Sequence, residues 1–460
     1  LGHSDRQRRG VCPTGSVASS GAGTTAVLPG GVRRRASYVV PADLGNQCSR
    51  IALVVNPRVV LNRILERRSS RCSSNRPADL ALVTRRLTLV IHSLAQGGAE
   101  RDMAHLARHW VQHGNDVTLV TLDSARNDSF ELPPQLERIG LDLMGTSQNP
   151  LQAFSNNRLR IRALRDVLRN RSPQTVISFI DRMNVVTLMA AKHLPDPVIV
   201  SERIDPRHHD PGRAWRWLRR RVYPRCTAQL VLTHSVQEWC RQLAPRRPVY
   251  MVPNPARRPE TGRGAAGDRT TPGAQLILLG MGRLNPQKGF DRLLPIFARL
   301  VTRFPNWTLK ILGEGDERSR LEEQVLSLDL ADRVSMPGWV ADVDTALCQA
   351  EVFVLPSRYE GFGNVVAEAL ACGLPVVTFD CQSGPGEIVR DGIDGLVVPA
   401  DDSEALEGAL EQIMADETLR RQLASRAPEV LERFSEQRFF AQWDAVLDGR
   451  TEEYVAAITA

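Results

Sequence analysis

The sequence predicts an α/β protein made of two doubly wound parallel sheets in tandem. Three observations carry this. Short, near-continuous apolar runs alternate with stretches of helical periodicity from Leu87 onward, the pattern of parallel strands covered on both faces. The series is broken once, by a Pro-, Gly- and Arg-rich stretch over 252–274 that reads as an interdomain linker. A chain of 460 residues is also too long for one ordinary core.

The elements follow in order. "LTLVIHSL" (87–94) is the first strand, and Gly97-Gly98 the turn after it. Ala99, Met103, Leu106, Ala107, Trp110 and Val111 then recur at helical spacing until Gly114 closes the helix;. "DVTLVTL" (116–122), "TVISFI" (175–180), "PVIVSE" (197–202) and "AQLVLTHS" (228–235) continue the first sheet. The second opens with "LILLGMG" and continues through "TLKILGEG", "VSMPGW", "VFVLPS", "VVTFD" and "GLVVP", with helices expected at 291–303, 319–330, 341–350 and 364–372. The domains are thus expected at 87–255 and 275–434, joined by 256–274.

Charge is distributed unevenly. Residues 1–86 hold fifteen Arg and four acids, a net +11, whereas the remainder is net −4. The high pI therefore belongs to this leader and is no evidence that the folded part binds nucleic acid. The leader reads as disordered and dispensable for the fold, either translated sequence upstream of a misplaced start or a basic tail that touches nucleic acid or anionic lipid. No apolar run approaches the ~18 residues of a membrane span. The eight Cys form no CxxC pair, so neither a disulfide framework nor a metal site is expected, and a reducing cytosol fits.

Ligands of doubly wound sheets bind beyond the carboxyl ends of the strands, and four turns there draw notice. Gly97-Gly98 lets a ligand approach a helix N-terminus. "GMGRLNPQKGFD" (280–291) brings Gly282, Arg283 and Lys288 off one strand, and Lys288 is one of only three lysines in the chain. An Arg fork beside a compact ammonium suits a phosphate; a solvated basic loop is the plainer alternative. "GEG" (313–315) places Glu314 between glycines. "RYEGFG" then "NVVAEALA" puts Glu360 in a Gly-rich turn, Asn364 at a helix N-cap, and Glu368 among Val365, Val366, Ala367, Ala369 and Leu370. An unpaired carboxylate is costly in such surroundings and calls for donors such as sugar hydroxyls. The helix dipole offers a purely structural reading.

"EGFGNVVAE" resembles the Glu-x7-Glu motif of retaining glycosyltransferases, family 4 in particular, and "GRLNPQKG" resembles that family's donor-phosphate loop. "GEG", "PGW" (337–339) and "GPGEIVRDGIDGLVVP" (384–399) follow in the family's order, and "GGAER", "SERIDP" (201–206) and "PNP" (253–255) fit its first domain. The likeness covers about 87–448. It implies a GT-B fold, in which two facing Rossmann-like domains enclose a cleft, with the segment 435–448 crossing back to the first domain. It implies a nucleotide-sugar donor, UDP-linked by expectation, used without cofactor or metal and with retention. By resemblance Glu368 holds the ribose, Glu360 meets the transferred hexose, and Arg283 and Lys288 neutralise the departing diphosphate. Amides around Gly361, Phe362, Gly363, Asn364 and Val365, with Gly97 and Gly98, assist, and Trp339 lines the base pocket. Many family members carry a His after the strand matching "TVISFI"; here Asp181-Arg182-Met183-Asn184 stands there, so Asp181, Asn184, Glu202 and Arg203 are the acceptor-side candidates. His92 and His234 read as structural.

The basic segment "RAWRWLRRRVY" (213–223) forms, as a helix, a stripe of Trp215, Leu218 and Val222 among arginines. This stripe packs on its own domain, or Trp215, Arg216, Arg219 and Arg220 lie on an anionic membrane surface, and both can hold at once. With the resemblance to enzymes of lipid-linked oligosaccharide or surface polysaccharide assembly, the expected acceptor is a glycan or lipid-linked glycan. The expected place is the cytoplasm, at the inner face of the membrane, with no nucleic-acid partner. A nucleotide-sugar 2-epimerase of the same fold and a non-catalytic binding module are the competing readings. A dinucleotide oxidoreductase is poorer, since no strand is followed by a full GxGxxG with a downstream acid.

Overall fold

The computed structural model describes residues 84–460, apart from 96, 146, 210–211, 260–274, 382 and 460. Nearly all of the basic leader and most of the linker therefore lie outside the described residues.

The first sheet holds β1 (Arg86–Ile91), β2 (Asp116–Thr121), β3 (Glu137–Gly140), β4 (Thr175–Phe179), β5 (Val198–Ser201), β6 (Ala228–Val231) and β7 (Val249–Met251). Its order is β3-β2-β1-β4-β5-β6-β7, and every pairing is parallel. Five helices connect these strands: α1 (Gly98–Gln112), α2 (Pro150–Arg171), α3 (Asp181–Ala190), α4 (Arg213–Val222) and α5 (His234–Leu243). Strands β1 and β2 are buried at every position after the first, as expected of a sheet covered on both faces.

The second sheet holds β8 (Leu276–Met281), β9 (Trp307–Leu312), β10 (Val334–Gly338), β11 (Val352–Leu355), β12 (Val376–Asp380) and β13 (Gly395–Pro399), in the parallel order β10-β9-β8-β11-β12-β13. Around it lie α6 (Phe290–Val301), α7 (Arg318–Ser327), α8 (Val343–Gln349), α9 (Asn364–Ala371), α10 (Pro385–Ile388), α11 (Ser403–Ala415), α12 (Glu417–Arg426) and α13 (Val430–Arg433). Strand order reverses between β1 and β4 in one sheet and between β8 and β11 in the other. Neighbouring loops part at such points and open a crevice at the strands' carboxyl ends.

Two last helices, α14 (Glu436–Leu447) and α15 (Glu452–Thr459), return to the first domain. Phe439, Trp443, Val446 and Val455 join a core with Leu87, Leu89, Trp110 and Phe179, and Trp110 Nε1 donates to Asp444 at 2.9 Å. No helix among the described residues is long and apolar enough to cross a membrane.

Helix α4 resolves the choice left open for its stripe. Trp215 and Leu218 pack against the first domain's core and Val222 is buried. Arg219, expected on a membrane surface, is instead buried, with its guanidinium on Asp181 at 2.7 Å. The stripe is a packing face, with Arg219 withdrawn from the surface and Trp215 half-buried. Arg216 and Arg220 are exposed, as is Trp217 beside them.

Candidate active site in the interdomain cleft

The second sheet's reversal point is built from the loops after β8 and β11, which are tied together residue by residue. Gly289 has φ +71, and a Cβ there would lie 2.1 Å from the Pro356 carbonyl oxygen. Glycine alone permits both the backbone and the approach. Arg358 N donates to Gln287 O at 2.8 Å, Gln287 Nε2 to Tyr359 O at 2.9 Å, and Arg358 forks onto Asp291 at 2.8 and 2.7 Å. These contacts carry Lys288 to Glu360. Lys288 Nζ and Ser357 Oγ both lie 2.6 Å from Glu360 Oε1, and the carboxylate is buried. The two residues expected to act on opposite parts of a donor are thus already paired. Arg283 stands exposed two positions beyond β8.

The first domain closes over this turn. A Cβ on Gly361 would meet Arg203 O at 2.7 Å, and one on Gly98 would meet Asn364 Nδ2 at 2.8 Å. Asn254 Nδ2 donates to Asn364 Oδ1 at 2.8 Å. Ser383 Oγ lies 2.5 Å from Glu360 O and 3.0 Å from Asp205 Oδ2. The His208 ring stacks on Tyr359 with centroids 4.9 Å apart. Glu387 accepts from the backbone N–H of His234 at 3.0 Å, at the N-terminus of α5, where a carboxylate is favoured by the dipole.

Two expectations for this turn are corrected. Asn364 is not the N-cap: Gly363, at φ +94, takes that position, and the Asn364 side chain bridges to the first domain instead. Glu368 does not wait on a ligand for its donor. Arg101, in the first turn of α1, sits 2.7 Å from it across the cleft. Arg101 escaped the sequence reading because nothing local links two residues 267 positions apart.

Farther from the reversal point, Glu314 is held by Arg318 through two bonds of 2.6 Å, which keep its carboxyl below the usual range. Trp339 directly follows β10 and is 68% exposed, open to stack on a planar ligand.

On the first domain, the reversal point lies above a buried charged network. Ile180, between β4 and α3, has a positive φ of +74, a strained state for a β-branched residue. It aims Asp181 inward. Asp181 accepts from Arg182 N at 2.6 Å, Arg219 Nη2 at 2.7 Å and His209 Nδ1 at 3.1 Å. Burial alone would raise its pKa, but the bonds from His209 and the charge of Arg219 hold it below the usual range. Beneath it, Tyr223 donates to Glu202 and Asn184 Nδ2 donates to Ser201 O at 3.0 Å. Burial lifts the Glu202 carboxyl above its ordinary value despite nearby Arg219.

This arrangement corrects three acceptor-side candidates. Asn184 and Glu202 are enclosed, so neither can touch an acceptor; they support Asp181 from below. Arg203 is likewise buried, paired with Asp102 and with Asn254 at 2.6 Å, its guanidinium 4.4 Å from the Phe179 ring centre. Asp181 reaches the surface only through His209, whose side chain is 40% exposed. The bond to Asp181 raises the imidazole's pKa. The adjacent His208-His209 in the loop after β5 was the signal for this residue. Among the described residues no group of three or more His, Cys, Asp or Glu side chains is disposed to hold a metal ion.

Both halves of this frame match known families. The Glycosyltransferase Family 4 model matches residues 96–257, and the model for Glycosyl transferases group 1 matches 267–430. The chain belongs to the GT-B glycosyltransferases. A lipopolysaccharide core biosynthesis glycosyltransferase of Rhizobium meliloti is 40% identical over 174 residues, which are 37% of this chain and 50% of that protein. The match thus spans half the length of that relative. The GalNAc-alpha-(1->4)-GalNAc-alpha-(1->3)-diNAcBac-PP-undecaprenol alpha-1,4-N-acetyl-D-galactosaminyltransferase of Campylobacter jejuni is 27% identical over 359 residues, 78% of this chain and 97% of that enzyme. Among solved structures, Anabaena HepE in complex with UDP superposes with a TM-score of 0.63 at 18% identity, covering 79% of this chain and 100% of that one. In this GT-B chain the two family models fall on either side of the cleft, and contacts such as Arg101–Glu368, Asn254–Asn364 and Asp205–Ser383 join one to the other.

Proposed function

We propose that this chain transfers a hexose or N-acetylhexosamine from a UDP-sugar to a glycan or lipid-linked glycan, with retention at the anomeric carbon. The observation that carries the reading is the Lys288–Glu360 pair at the reversal point of the second sheet, roofed by the first domain at Gly361. The relative in Campylobacter, named for an undecaprenol-linked acceptor, and the UDP held by HepE support the choice of substrates.

In this reading Glu368 exchanges its bond with Arg101 for the ribose hydroxyls. Lys288 and Arg283 meet the negative charge that grows on the departing diphosphate, the kind of preorganised stabilisation worth several kcal/mol in other enzymes. The glycosidic bond to the diphosphate breaks as the acceptor oxygen bonds the same face of the sugar. The leaving diphosphate oxygen lies on that face and is the nearest base for the acceptor's proton. Glu360, relieved in part of Lys288, faces the positive charge developing on the sugar ring. Cation charge from the two basic side chains serves this step without a metal.

Calorimetry with UDP, together with transfer or hydrolysis of UDP-sugars, tests the assignment. Glu368→Gln weakens UDP binding. Glu360→Gln leaves UDP binding unchanged or tighter, since Lys288 is released toward the diphosphate, and raises the barrier to turnover by about 2–4 kcal/mol. Absence of nucleoside diphosphate binding, or the reverse pattern in the two variants, would sink the proposal.

A further inference from the structure

Arg101 belongs to the first domain, yet its ion pair is with Glu368 of the second. Helices α1 and α9 meet start to start. A Cβ on Gly98, the first residue of α1, would lie 2.8 Å from Nδ2 of Asn364, the first residue of α9. One turn further along both, Arg101 Nη1 is 2.7 Å from Glu368 Oε1. The N-cap positions are Gly97 and Gly363, and neither helix has a side chain bonded to its first amides as a cap. Two positive helix ends brought together favour an anion between them. Glu100 answers part of that charge: a Cβ on Gly97 would meet its Oε2 at 2.1 Å, and its Oε1 lies 3.5 Å from His92.

Glu368 is what keeps Arg101 in place. The adjacent carboxylate, Asp102, is paired with the buried Arg203. Burial works against the charge of Arg101, and Glu368 and then Asp102 outweigh it, so its pKa stands above the ordinary arginine value. The Arg101 side chain is 34% exposed and that of Glu368 14%, so the guanidinium has room to turn while the carboxylate stays. Asn364 lies four residues before Glu368, about 6 Å along the helix, a distance that an arginine side chain covers by swinging about its Cα.

We propose that Arg101 is a third cation for the donor diphosphate, delivered by the first domain: once a ribose takes Glu368, the guanidinium turns back one helical turn and meets the diphosphate between the two helix starts. This rests on the transfer reading above, in which Glu368 gives up Arg101 for the ribose hydroxyls. Arg101 exchanges no proton and forms no covalent bond. Its fork suits phosphate oxygens, and its charge adds to that of Arg283 and Lys288 against the leaving group. The exchange also makes Arg101 conditional: Glu368 withholds it from any phosphate that arrives without a nucleoside.

Calorimetry of the full chain with uridine, UDP and inorganic pyrophosphate tests this. In Arg101→Met, uridine is expected to bind as well as in the parent or a few-fold tighter, because its ribose no longer displaces a guanidinium. UDP is expected to bind about tenfold more weakly, the loss of one charge-assisted contact. Pyrophosphate affinity is expected to stay as in the parent. Arg101→Lys keeps the charge without the fork; its UDP affinity should fall between the two with uridine unchanged, and it carries the test if the Met variant does not fold. Equal weakening of uridine and UDP would mean that Arg101 only positions Glu368, and equal tightening that it only competes with the ribose; either result overturns the proposal. So does a loss of pyrophosphate affinity as large as that of UDP, since the cation would then act without a ribose. These outcomes leave the transfer reading standing, whereas a parent chain that binds no UDP sinks both.

Discussion

Replacing Lys288 is expected to destabilise the protein, and a second change at its partner is expected to restore part of the loss. A lysine in a surface loop would ordinarily matter by no more than ~0.5 kcal/mol, and the sequence alone supports that figure. The structure does not. Lys288 is 14% exposed and Glu360 7%, with 2.6 Å between Nζ and Oε1. Lys288→Ala leaves a buried carboxylate with Ser357 Oγ as its remaining partner of the two. Removing one member of a fully buried pair costs 3–5 kcal/mol; with some solvent reaching this lysine, about 2–4 kcal/mol is expected. In Lys288→Ala/Glu360→Gln the amide keeps an oxygen for Ser357 and carries no charge, so the double variant should be about 1–2 kcal/mol more stable than Lys288→Ala alone. Urea unfolding followed by tryptophan fluorescence reads all four corners of the cycle. Costs that add within ~0.5 kcal/mol would refute the claim that the two charges depend on each other. Turnover gives the complementary readout, with Lys288→Ala expected to lose roughly 100-fold or more.

Three other outcomes follow from contacts already described. Arg219→Met leaves Asp181 and Glu202 buried without their cation and should lower stability by about 2–4 kcal/mol in thermal unfolding; an unchanged melting temperature would return Arg219 to the surface. Gly289→Ala forces a Cβ against Pro356 O at 2.1 Å in a left-handed backbone, so it should cost about 1–3 kcal/mol and weaken UDP binding by displacing Lys288. His209 has a folded-state pKa raised by its bond to Asp181, so its stabilising contribution is full below the ordinary histidine value of ~6.5 and fades as pH rises through the folded value. The melting-temperature difference between the parent and His209→Gln should therefore be largest in mild acid and vanish in mild alkali, and the opposite slope would mean the imidazole is bound neutral.

The fold was legible because parallel strands buried on both faces have no polar alternation to confuse with anything else. "LTLVI", "DVTLVT" and "VFVL" each declare themselves. Helix caps were less legible: Gly363, not Asn364, is the N-cap of α9, at φ +94, a conformation glycine adopts without strain;. Candidates in the second domain could be located for the same reason, as Arg283, Lys288 and Glu360 lie in loops that follow strands. Cross-domain partners were not. Arg101 meets Glu368, and Asp205 meets Ser383, only because two separate sheets face each other, and no spacing within either sheet encodes that meeting.

Burial of charge is the point at which residue type misleads most. An arginine-rich helix reads as a solvated surface, yet Arg219 is the residue of α4 that turns inward, because Asp181 is aimed at it by the strained Ile180 and Glu202 lies 3.9 Å from its Nε. The cost of burying Arg219 is offset by charges that cannot be moved without releasing β4 and β5 from their shared end. The network therefore fixes the floor on which His209 stands, and His209 in turn neighbours His208, which stacks on Tyr359 next to Glu360. A floor fixed on the first domain and one stacked ring away from Glu360 is what the proposed transfer needs in order to hold two substrates at reacting distance. Arginine, with its fixed fork and permanent charge, suits that duty better than lysine, in a chain that has spent almost all of its cations as arginine and kept one of its three lysines for the cleft.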